Sequence, residues 1–313
     1  MKRATFSRLI AVTVTCLAMG SVNAAQVLGP GDDDDDLVPT GKGWGERAYP
    51  SHGNGNANGK PGGKVTGNGI NYHGGPLLNS TTGTTAYYIW YGNWSGNTAT
   101  SILTDLMGNI APSPYFNINT TYNDAARYVT NRVIYAGSTT DNYSQGNALS
   151  DAQVQNVVSS AITSGRLPKD ANAVYFVLTS ADVNETSGFC TQYCGWHTHG
   201  TIGGADIKYA FVGNPDRCPS ACSAQTIGPN GNAGADGMAS IIAHELEEAV
   251  TDPDLNAWYD TRGRENADKC AWTFGATYTT ANGSVANMKL GARDYLIQRN
   301  WVNASGGYCA SYY

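Results

Sequence analysis

Between Thr84 and Asp254 the sequence switches repeatedly between two hydrophobic patterns, and that alternation restricts the fold more than any other feature. "TTAYYIWYG" (84–92), "RVIYAG" (132–137), "NAVYFVLTS" (172–180) and "DIKYAFVG" (206–213) are short runs rich in branched and aromatic residues, as buried strands are. Between them, "TATSILTDLMGNI" (98–110) sets Ile102, Leu103, Leu106, Met107 and Ile110 at helical spacing. "SDAQVQNVVSSAITSG" (150–165) does the same with Val154, Val157, Val158 and Ile162, and has Ser150 as N-cap and Gly165 as stop. A further helix over 234–252 ends near Asp252, because Pro253 cannot continue it. Alternating strands and helices predict a single α/β domain, a mixed sheet with packed helices in two or three layers. The order of the elements leading to 234–252 is analogous to that of zincins, in which such a helix carries the metal ligands. The remaining part, about 253–313, reads as loop-rich, aromatic and stabilised by disulfide.

Residues 1–24 have a basic start (Lys2, Arg3, Arg8), a short apolar run and small residues at the end, the features of a secretory signal peptide. Residues 25–64 hold five consecutive aspartates and a Gly/Asn-rich stretch, a composition expected to stay disordered. The domain is expected over 65–313. Of 19 basic and 25 acidic residues, cleavage after Ala24 removes three basic ones, leaving 16 − 25 = −9. Such a charge argues against nucleic acid and against anionic membrane surfaces as partners. Cleavage also leaves six cysteines, Cys190, Cys194, Cys218, Cys222, Cys270 and Cys309. In an exported chain they point to three disulfides; local 190–194 and 218–222 bridges with a 270–309 closure are expected.

The chemistry concentrates in "SIIAHELEEAVTDPD" (240–254). His244 and Glu248 lie one helical turn and about 40° apart, so both can reach one ion. Zinc accepts imidazole nitrogen and carboxylate oxygen, and three protein ligands leave a position for water. Asp252, Glu265 or Asp268 would complete the set, and Glu245 occupies the place of a zincin general base. His197 and His199 in "CGWHTHG" are two residues apart and would share one face of a strand, so they supply an alternative three-histidine set with His244. The competing readings are an amphipathic helix with a solvated acidic face, Met238, Ile242, Leu246 and Ala249 pointing inward, and a hydrogen-bonded turn for "WHTHG".

"GINYHGGPLLNSTTGTTAYYIWYGNW", "CGWHTHG", "AHELEEAVTDPDLNAWYD" and "ENADKCAW" together resemble the phosphate-induced protein 1 family, also called EXORDIUM-like, over about Gly67 to Tyr313. The leader and the acidic tail are closer to microbial members than to plant ones. The resemblance implies an extracellular or cell-wall-associated protein, and it brings no established activity or ligand set. Two functions are therefore carried forward. One is a zinc-dependent hydrolase acting on a peptide-like substrate. The other is a non-catalytic binding or signalling protein with cell-wall carbohydrate or a protein as partner, any metal being structural.

Overall fold

A computed structural model of the chain describes residues 38–42 and 67–313; the expected leader, and all but residues 38–42 of the expected tail, lie outside the described residues. Its centre is a five-stranded sheet. The strands are β1 (Thr84–Tyr91), β2 (Val133–Asp141), β3 (Ala173–Thr179), β4 (Gly195–Ile202) and β5 (Ala205–Val212), in spatial order β2-β1-β3-β5-β4. All neighbours run parallel except the β4–β5 hairpin. Strands β1 and β3 are buried almost throughout, which accounts for their unbroken apolar runs: both faces of a parallel sheet are covered.

Three long helices provide that cover: α1 (Ala99–Asn109), α2 (Asp151–Thr163) and α3 (Ala233–Thr251). The Tyr88 hydroxyl donates to the Leu103 carbonyl of α1, and a side chain at Gly195 of β4 would collide with Ile241 of α3, so these two helices share one face of the sheet. On the opposite face the Tyr175 hydroxyl donates to Pro168, just beyond α2, and a side chain at Gly200 would meet Gln155 of α2. The result is a three-layer α/β arrangement. Helix α2 begins with a full capping box, in which Ser150 Oγ accepts the Gln153 N–H and the Gln153 side chain accepts the Ser150 N–H.

The structure decides two open readings and corrects the disulfides. "WHTHG" is part of strand β4, the strand on which His197 and His199 share one face, and not a turn; it lacks the apolar run of the inner strands because it lies at the edge of the sheet. Helix α3 has no solvated face: all its residues except Ala233 and Gly237 are buried, for it lies between the sheet and the C-terminal part. The two C-x3-C pairs bridge across to each other, Cys190–Cys218 and Cys194–Cys222, instead of locally. Cys190 and Cys194 both precede β4, Cys194 directly, whereas Cys218 caps and Cys222 ends a short helix, Pro219–Cys222, in the connection from β5 to α3; sheet pairing brings the two segments side by side. The third bridge, Cys270–Cys309, is the expected one.

The C-terminal part is loop-rich, as expected, and consists of short ribbons. Trp258–Tyr259 pairs with Asn71–Tyr72, and the hairpins β6 (Met288–Leu290) with β7 (Arg293–Tyr295) and β8 (Asn300–Val302) with β9 (Tyr308–Ala310) follow.

Candidate metal centre

Helix α3 supplies two of the side chains. Asn232 caps its start by accepting the Ala235 N–H at 3.0 Å. Its end is set by Asp252, which leaves helical geometry and whose Oδ1 accepts the Asn256 and Ala257 N–H groups, both at 2.6 Å. This reversal sends the chain back towards the helix, and the segment 260–270 then crosses it. Asp260 holds that segment in shape: Oδ1 accepts the Arg262 and Arg264 N–H groups, and Oδ2 takes the Arg264 guanidinium at 2.8–2.9 Å and Lys269 Nζ at 3.2 Å. Cys270, two residues beyond Asp268, is tied to β9 by its disulfide.

These constraints bring five side chains together in the interior. His197 of β4, His244 and Glu248 of α3, and Glu265 and Asp268 of the crossing segment are each 5% exposed or less. His197 Nε2 lies 3.0 and 3.3 Å from the two Glu265 oxygens and 3.8 Å from Glu248 Oε2. His244 Nε2 lies 3.0 Å from Glu248 Oε1 and 3.8 Å from Asp268 Oδ1. Backbone groups steady the carboxylates: the Asp268 N–H donates to Glu248 Oε1 at 3.0 Å and the Glu265 N–H to Asp268 Oδ2 at 3.2 Å.

Burial dominates the electrostatics. It pushes the His197 imidazole down to about 3, with the nearby His244 and His199 adding to the effect and Asp268 opposing it. The ring is therefore neutral, the form that binds a metal. Burial also raises the Glu265 carboxyl well above the usual range, and the charges of Glu248, Asp252, Asp268 and Glu245 raise it further. Every one of those four neighbours is a carboxylate, so a negative charge on Glu265 is opposed from several sides. In such a place either a proton or a cation must fill the space between imidazole and carboxylate.

The residues fit a zinc-type cation. Bonds of about 2.0–2.2 Å in a tetrahedral arrangement place neighbouring donor atoms roughly 3.3–3.5 Å apart. The histidine–carboxylate pairs, 3.0 to 3.8 Å, bracket that spacing, and within each group of three the donors lie within 4.8 Å of one another.

Three sequence-predicted residues stand outside the cluster. His199 is on the same face of β4 as His197 but one pleat nearer the rim. There its Nδ1 is 2.8 Å from Asp206 and 3.7 Å from Asp254, and Lys208 pairs with both acids. Asp252 is buried close enough to act on Glu265, but its Oδ1 serves the chain reversal; burial, with Asp254 adding, raises its carboxyl to about 7 against the backbone N–H groups of Ala257 and Asn256. Glu245 is fully buried beside β4, with Oε1 next to Gly195, where a side chain would meet it at 3.0 Å.

Sequence reasoning missed two neighbours. Glu247, also fully buried, is hydrogen-bonded by Asn300 of β8 and is raised well above the usual carboxyl range by burial. Tyr115 lies in a loop after α1, and besides burial the charges of Glu247 and Glu248 hold its hydroxyl protonated. Glu247 lies on α3 itself, in the run His244–Glu248, and its neighbours in that run drew the reading away from it; no spacing in the sequence connects Tyr115 to α3.

The family can be assigned by comparison with known proteins. The model of the phosphate-induced protein 1 conserved region matches residues 70–298. The chain belongs to the phosphate-induced protein 1 family. Among its relatives, protein EXORDIUM-like 5 of Arabidopsis thaliana is 34% identical over 274 residues, covering 74% of this chain and 75% of the relative. Protein EXORDIUM-like 3 of the same plant is 32% identical over 281 residues, 77% of this chain and 82% of its own length. Protein PHOSPHATE-INDUCED 1 of Nicotiana tabacum is 27% identical over 227 residues, 61% and 67% of the two chains. No solved structure matches the chain. All five clustered side chains fall within the matched family region.

Proposed function

We propose that this EXORDIUM-like protein is an extracellular metal-binding protein whose centre is formed by His197, His244, Glu248, Glu265 and Asp268. The observation that carries the reading is the convergence of two histidines and three carboxylates, all buried, with donor spacings suited to a divalent ion. Burying so many acids beside neutral histidines is costly without a cation. Zinc suits the mixed nitrogen and oxygen donors. An exported location is supported by three disulfides and by the absence, among the described residues, of a helix long and apolar enough to cross a membrane.

Elemental analysis of the purified, dialysed protein beside His244→Ala tests the reading. A stoichiometric transition metal, with a lower content in the variant, is expected. A metal-free wild type, with His244→Ala equally stable, would sink it.

A second reading, a metal-dependent hydrolase acting on a peptide or ester, draws support from Glu245. Its carboxylate follows His244 directly and lies deep in the same interior. When bound, zinc would polarise a water molecule; Glu245 would accept its proton and return it to the leaving group. Glu245→Gln that keeps the metal but loses hydrolysis of a peptide library is the expected result. Unchanged hydrolysis would remove Glu245 from this role. A partner in cell-wall carbohydrate is supported by exposed tyrosines such as Tyr128, Tyr278, Tyr308 and Tyr312.

A further inference from the structure

We infer that the centre holds two divalent ions bridged by Glu248, an inference that rests on the metal-binding reading above. The donor atoms do not gather as one set of five. They form two triads, His197–Glu248–Glu265 and His244–Glu248–Asp268, and within each the atoms lie within 4.8 Å of one another. Glu248 belongs to both, and it faces them with different oxygens: Oε2 towards His197 at 3.8 Å, Oε1 towards His244 at 3.0 Å. Each histidine also has a carboxylate of its own, Glu265 for His197 and Asp268 for His244.

That symmetry is what a bridging carboxylate requires. One carboxylate spans two ions about 3.5–4 Å apart, the spacing of two-metal hydrolytic sites. Each ion would have three protein donors, one imidazole nitrogen and two carboxylate oxygens, and so would keep a coordination position for water or substrate.

The ion count also bears on function. Five donors around one ion make a closed, structural site, whereas two three-donor ions leave room for reactants.

The test is a zinc titration of the full chain after chelator treatment, read by native mass spectrometry, with a weak competing chelator present to keep exposed acidic groups empty. Two equivalents are expected, and His197→Ala and His244→Ala should each retain one. The surface triad of His199, Asp206 and Asp254 is the competing home for a second ion. His199→Ala should therefore keep both equivalents; loss of one would overturn the two-ion centre. A wild-type break at one equivalent overturns it too, while leaving the metal-binding reading intact. No zinc at all overturns both. The wild-type break point decides between one ion and two even if a histidine variant fails to fold.

Discussion

The Cys270–Cys309 bridge offers a direct test of how the ligand segment is held. It spans 39 positions of sequence and joins the turn at Asp268–Cys270 to β9. In the chain-entropy model a loop of that size restricts the unfolded state enough to contribute about 4 kcal/mol. For a domain of this size, that corresponds to a fall in melting temperature of roughly 10 °C. The native side should weaken as well. β9 pairs with β8, whose Trp301 lies 4.3 Å from Lys269 Nζ and whose Asn300 holds Glu247, so the disulfide fixes the same ribbon that closes over α3. Replacing both cysteines by alanine should lower the urea unfolding free energy by about 4 kcal/mol in the presence of chelator. It should also speed metal loss, because Asp268 lies two residues from the cut. The assay is urea unfolding followed by tryptophan fluorescence, with metal release followed by a chromogenic chelator. A loss below about 1 kcal/mol would refute the loop-entropy reasoning. Metal release at the wild-type rate would refute the anchoring of Asp268.

Two further perturbations separate scaffold from site. Ser150→Ala removes the capping box of α2, on the far face of the sheet, and should cost about 1 kcal/mol by urea unfolding with no change in metal content. Asp260 gives a pH dependence. Burial alone would raise its carboxyl, but the Arg264 guanidinium and N–H, the Lys269 charge and the Arg262 N–H outweigh burial and hold it below the usual range. A depressed folded value means that its contribution is complete above the unfolded value of about 3.9 and is lost as pH falls through the lower folded value. Asp260→Asn should therefore be less stable than wild type at pH 7 and pH 5, and the difference should shrink at pH 3. A gap that stays constant down to pH 3 would show that the carboxylate charge is not what matters.

Most of the framework was legible because local rules decide it. Strand β3 is a continuous apolar run, β1 and β5 end in one, Ser150 followed by Gln153 caps α2, and Pro253 halts α3; each signal acts within a few residues. The edge strand β4 was legible only as one of two readings, since its Gly-Trp-His-Thr-His-Gly has no apolar run; its pairing with β5 decides for the strand. The five clustered donors were all among the residues singled out by chemical type and helical spacing. What spacing alone left open was the choice among Asp252, Glu265, Asp268, His197 and His199.

The sequence by itself determined the alternation of elements, the family and the chemical character of the donors, because side-chain type and short-range periodicity are local properties. Tertiary structure decided the rest. It paired the cysteines across two segments that the β4–β5 hairpin brings together, buried both sides of α3, and separated His197 from His199 by one pleat of the same strand. It also folded Glu265 and Asp268 back over His244 through the reversal at Asp252. These outcomes depend on which surfaces meet in space, and residues as far apart as His197 and Glu265 are neighbours only once the chain has closed.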